Sequence, residues 1–120
     1  MTRFRLLLRL TFFAAALFAF VMATLPQPPS LPFKATDTAQ HVLAFLTLAT
    51  LAVLAWPKVR LVWLGLGLSA FGALIEFVQS IPALHRDAEL RDWLADSAAI
   101  ATILLVAFVV QRLAARPARG

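Results

Sequence analysis

Hydrophobic residues run along this chain in four long blocks, and proline marks most of the breaks between them. The first block covers about residues 6–25 and stops at Pro26, and the second covers about 38–56 and stops at Pro57. The third, about 59–81, stops at Pro82, and the fourth runs over about 92–112. A helix needs roughly 20 mainly apolar residues to cross a bilayer, so the pattern predicts four transmembrane helices. Only a few residues separate the second and third blocks, which makes that pair antiparallel neighbours. Residues 1–120 then read as one all-α membrane domain, a four-helix bundle.

Composition changes this picture only by hardening it. Hydrophobic residues make up 62% of the chain and charged ones 14%, against roughly 25% charged in an ordinary soluble domain. The expected solvent is lipid. With no cysteine, a disulfide framework, a thiolate metal site and a thiol nucleophile are all excluded.

Charge orients the bundle. The net charge is +5, but the bases form no patch for nucleic acid; they lie in short segments beside the apolar blocks. Arg3, Arg5, Arg9, Lys58, Arg60, Arg112, Arg116 and Arg119 fall on one side, with Lys34, Arg86 and Arg91 on the other. Positive charge favours the cytoplasmic side, which predicts that both termini and the 57–60 turn are cytoplasmic. The acids Asp37, Glu76, Asp87, Glu89, Asp92 and Asp96 then gather at or near the outer surface. The first block also admits a second reading. Basic residues, an apolar stretch and the small-residue ending "VMA" at 21–23 suit a signal peptide with a cleavage site. Against that, the block is long enough to span, and Ala15, Ala19 and Ala23 make a ridge suited to helix packing in lipid.

The third block carries the chemistry. Gly65, Ser69, Gly72, Ala73, Glu76, Gln79 and Ser80 follow 3–4 spacing and are expected on one face, small at one end and polar at the other. Polar residues within a span usually point into the bundle. Glu76 lies five residues before Ile81, about 7.5 Å along a helix. His41 lies four residues after Asp37, and Asp96 four after Asp92, each about 6 Å. Asp37, His41, Glu76, Gln79, Asp92 and Asp96 are therefore expected in one polar layer, with Arg86 in the loop above it. Protonation, or pairing with Arg86 or a charged His41, would relieve the cost of burying Glu76.

These residues resemble a known family. "DTAQHVLAF" with Asp37, His41 and Phe45, the Glu76-x-x-Gln79 pair, Arg86 in the following loop and Asp92 opening the last span resemble the VanZ-like integral membrane proteins. The likeness covers roughly residues 35–110. The family often has Asn four residues after that last Asp and Gly three further on; this chain has Asp96 and Ala99. The resemblance implies a multi-pass protein of a bacterial cytoplasmic membrane. The founding member is associated with resistance to teicoplanin, so the implied role lies in the cell envelope.

Plainer roles compete for several residues. Asp37 and Asp92 sit where helix N-caps belong, and Trp56 and Trp93 where interfacial aromatic residues belong. His41 reads more readily as a hydrogen-bonded structural histidine than as a metal ligand. His85, Asp87, Glu89 and Arg91 read as a solvated loop. Carboxylates and a histidine suit general acid–base work on a lipid phosphate, yet no nucleophile elbow, zinc-protease motif or phosphate loop is present. A divalent metal on Asp37, His41, Glu76 and Asp92 has no recognised ligand spacing, so neither metal nor other cofactor is expected. The expectation is a membrane protein that binds or shields a lipid or cell-wall precursor headgroup. A lipid-phosphate hydrolase and a purely structural scaffold are its alternatives.

Overall fold

The computed structural model describes residues 2–26, 37–84 and 90–115. Within them the chain forms α1 (Arg3–Thr24), α2 (Asp37–Ala55), α3 (Leu61–Gln79), a short 3₁₀ turn (Pro82–Leu84) and α4 (Leu90–Ala114). All four apolar blocks are helical, and no strand occurs among the described residues. Of the helices, α1, α3 and α4 are long and apolar enough to cross a membrane. The apolar stretch of α2, Ala39–Ala55, is shorter.

Local chemistry explains the boundaries. Thr2 caps α1, its hydroxyl oxygen accepting the Arg5 N–H at 3.1 Å, which satisfies one of the free donors of the first turn. Leu25 leaves the helix with extended backbone, as the residue before a proline is driven to do. Helix α2 stops just before Trp56 and Pro57, and Val59 N–H closes the turn on Trp56 O at 3.2 Å. Consequently α3 begins at Leu61, two residues later than expected, because Lys58 and Val59 belong to that turn. It also ends two residues early, at Gln79, with Ser80 as its cap.

Contacts fix the direction of each helix. Arg9 near the start of α1 reaches Ala55 O at the end of α2. Gln79 at the end of α3 reaches Ala23 O at the end of α1. His41 near the start of α2 meets Asp96 near the start of α4. Successive helices therefore run up, down, up and down.

The core is built chiefly on α2. Phe45, Leu48, Ala49 and Ala52 from it meet Leu68 and Ile75 of α3 and Ala99 and Ile100 of α4. Helix α1 buries no residue fully; it leans on this core through Phe12, Ala15, Ala16, Phe20 and Ala23. The expected alanine ridge is thus real at Ala15 and Ala23 but is filled out by aromatic rings. Ala99, which stands where a glycine would ease close packing, is itself buried in the core. The close approach falls one turn away, at Gly72. A Cβ there would sit 3.1 Å from Asp96 Oδ2 and 3.4 Å from Phe45 Cζ, so glycine is what lets α3 pass that near α4. Large apolar side chains such as Phe13, Phe18, Trp63, Leu66, Leu105 and Val106 stay exposed on the outer faces of α1, α3 and α4.

Candidate functional site

Three helices deliver polar side chains to one end of the bundle. Helix α2 places His41 one turn in from Asp37, 8% exposed. Its next residue on the same face, Phe45, is part of the apolar core beneath. Helix α3 brings Glu76, its side chain 13% exposed, beside the buried Ile75. Helix α4 contributes Asp92 at 3% and Asp96 at 0% exposure.

At the centre stands the imidazole. His41 Nδ1 lies 3.1 Å from Asp96 Oδ1 and 3.3 Å from Oδ2. An ionised carboxylate only accepts, so the ring donates this bond when Asp96 is charged. The same nitrogen is 3.8 Å from Glu76 Oε1. A ring nitrogen of His41, a Glu76 oxygen and an Asp92 oxygen all lie within 4.8 Å of one another. Asp92, expected in the polar layer with helix capping as the competing role, sits in the first turn of α4, its side chain buried in this cluster.

Gln79 does a different job. Its Nε2 donates to Ala23 O at 2.9 Å and ties α3 to the end of α1. The other carboxamide atom, Oε1, is buried and has no hydrogen-bond partner among the described residues. Ala73 and Ser80, expected on the polar face, are exposed; the inward face of α3 is narrower and runs through Leu68, Gly72, Ile75 and Gln79. Arg86, with His85, Asp87 and Glu89, lies outside the described residues, and so does the side chain of Asp37.

Two features went unread in the sequence. Asp96 is the nearer partner of His41, at 3.1 Å, while Glu76, whose expected partners are Arg86 or a charged His41, stands 3.8 Å from the same nitrogen. Trp93, expected at the lipid–water interface, turns its indole N–H to Ser69 O at 3.1 Å. Beside it the hydroxyls of Ser69 and Ser97 meet at 3.2 Å, so a polar seam continues inward along α3 and α4. Trp56 is likewise engaged within the bundle: Arg9 Cζ lies 5.2 Å from its ring centroid, with Phe12 and Phe13 packed edge-on.

In chemical terms the described cluster offers one imidazole and three carboxyl groups, almost wholly withdrawn from the surface. Such a set can hold a cation, accept hydrogen bonds from an amine or hydroxyl, or move a proton through His41. No protein-family model matches the chain, and no curated protein or solved structure does so either.

Proposed function

We propose that the chain is a multi-pass protein of a bacterial cytoplasmic membrane, of the VanZ-like type, crossing four times with both termini cytoplasmic. In this reading the polar cluster lies in the outer leaflet and binds the headgroup of a cell-envelope lipid or a related cell-wall precursor. The observation that carries it is the convergence of His41, Glu76, Asp92 and Asp96 from three apolar helices. Ionisable groups inside spans are costly, and where they occur they mark sites of function more often than not. The exposed apolar coat on α1, α3 and α4 supports lipid as the surrounding solvent, because a water-soluble monomer rarely exposes so much contiguous apolar surface.

The composition of the cluster favours a headgroup bearing an amine. Carboxyl groups outnumber the imidazole among the described residues of the cluster, so a ligand that donates hydrogen bonds would meet acceptors there. Lipid-retaining mass spectrometry on the wild type and on Glu76→Gln tests the reading. The wild type should carry an amine-bearing lipid through detergent purification, and the variant should lose it. Equal retention by the two proteins would overturn the reading.

A further inference from the structure

We infer that the end of the bundle opposite the polar cluster is a docking surface for anionic phospholipid, with Arg3, Arg5, Lys58, Arg60 and Arg112 holding the phosphates. The inference rests on the membrane reading above but not on the headgroup site, which lies at the other end of the helices.

Topology is the first argument. Helices α1 and α3 start at this end, and α2 and α4 stop there. The bond from Arg9 to Ala55 O joins α1 to α2. A Cβ on Gly65 would sit 2.8 Å from Leu104 Cδ1, which brings the last turns of α4 level with the start of α3. The described bases other than Arg91 therefore gather here, whereas Asp37, Glu76, Asp92 and Asp96 occupy the opposite end. Along α3, Glu76 stands about 24 Å from Arg60 at 1.5 Å per residue. That is about three times the screening length of roughly 8 Å at physiological ionic strength, so the acids leave this end positive.

The second argument is that these bases have no internal partner of opposite charge. Arg3, Lys58, Arg60 and Arg112 are exposed and Arg5 is half-buried. Among the described residues none of the five pairs with a carboxylate, and the first turns of α1 and α3 contain no acid. Arg60 precedes α3 without making a side-chain capping bond. Arg9, one turn further in than Arg5, is turned onto Ala55 O and Trp56 instead. It belongs to the helix clamp and not to this surface.

Aromatic side chains set the depth and so select the partner. Phe4 is 71% exposed and Trp63 63%, each beside bases at the start of its helix, and Arg112 Cζ lies 5.5 Å from the Phe108 ring centroid. Exposed aromatic rings at helix ends mark the lipid–water interface. Bases at that level, spread over the ends of all four apolar helices, meet lipid phosphates before any soluble polyanion. Arginine predominates among them, and its planar fork takes a phosphate through two parallel hydrogen bonds.

The test uses the full chain, delipidated in a neutral detergent, where membrane orientation plays no part. It is titrated with phosphatidylglycerol or with diacylglycerol, which lacks the phosphate, and bound lipid is quantified after gel filtration. The wild type should bind phosphatidylglycerol in preference, and the preference should fall as salt rises. A base near an anionic surface is worth roughly a fivefold factor, so the paired change Lys58→Gln and Arg60→Gln should weaken binding by about 25-fold and Arg5→Gln by about fivefold. Should the turn variant fail to fold, Arg3→Gln with Arg112→Gln carries the same expectation as the turn pair. Equal binding of the two lipids by the wild type, undiminished binding by the paired variants, or displacement of the lipid by equimolar inorganic phosphate overturns the inference. Phosphatidylglycerol has no amine, so Glu76→Gln should bind it as the wild type does, and the two proposals separate. A phosphatidylglycerol preference without Glu76-dependent retention of an amine-bearing lipid keeps this surface and removes the headgroup site. Glu76-dependent retention without that preference does the reverse.

Discussion

The two ends of this bundle both contain charge, and they use it differently. At one end Arg9 donates from Nε to Ala55 O at 3.0 Å and lies over the Trp56 ring. Its guanidinium meets the free carbonyls and partial negative charge at the end of α2, while Phe12 and Phe13 pack the other edges of Trp56. Each group there has a structural task, and together they clamp α1 to α2. At the other end, an imidazole and three carboxyl groups from three helices are drawn together, although apolar contacts already join those helices below. A single His41–Asp96 bond would fix the register of α2 on α4. Bringing Glu76 and Asp92 into the same space adds a cost that packing alone does not require. The contrast separates polarity that stabilises a bundle from polarity the bundle has to support.

The largest effect should come from breaking the supported end. Asp96→Ala removes the partner of a buried ring and leaves space under Gly72. Losing one member of a buried pair costs about 3–5 kcal/mol, so thermal unfolding in detergent should shift far down. Asp96→Asn keeps a hydrogen-bonding group of the same shape and should recover most of the stability while changing the charge. If Asp96→Ala melts like the wild type, the pair carries no structural weight and the contrast between the ends loses one side.

Arg9→Ala is the matching break at the clamp. It removes a charged hydrogen bond at a helix end and a cation–π contact, together about 1–2 kcal/mol. The melting temperature should fall by less than for Asp96→Ala, and retention of the amine-bearing lipid should not change. Arg9→Lys should restore part of the loss, since it keeps the charge but not the planar fork. A change in ligand retention on Arg9→Ala would show that the two ends are coupled rather than separate.

How much of this could be read from residues alone differs between the ends for a physical reason. The four helices were legible because block length and the prolines at 26, 57 and 82 act locally. That His41, Glu76 and Asp92 meet at one end of the bundle was legible too, since their distance from the helix ends follows from rise per residue. Helix rotation was not. Ala73 and Ser80 share the spacing of Glu76 but face outward, because the close contact at Gly72 turns a narrower face of α3 toward α4. Partners that are backbone carbonyls were also hidden. Every helix has them, so nothing in the sequence singles out Ala55 for Arg9, Ala23 for Gln79 or Ser69 for Trp93. Asp96 was placed in the layer, but its role as the partner of His41 depended on the three-helix geometry.

The smallest effect should come from the seam between the two ends, and it sharpens the comparison by supplying its baseline. Ser69→Ala removes only the hydroxyl that meets Ser97 at 3.2 Å. Its Cβ stays, so no cavity opens, and the backbone carbonyl that accepts the Trp93 indole is untouched. The Ser97 hydroxyl can fall back on the carbonyl one turn earlier in its own helix. Interhelical hydrogen bonds of this kind average about 0.6 kcal/mol in membranes, so the melting temperature should drop slightly and ligand retention should hold. A drop as large as that for Asp96→Ala would mean that any polar contact in this bundle is worth as much as the His41–Asp96 pair. The cluster would then be one more helix fastening, and the case for a site would rest on the lipid measurement alone.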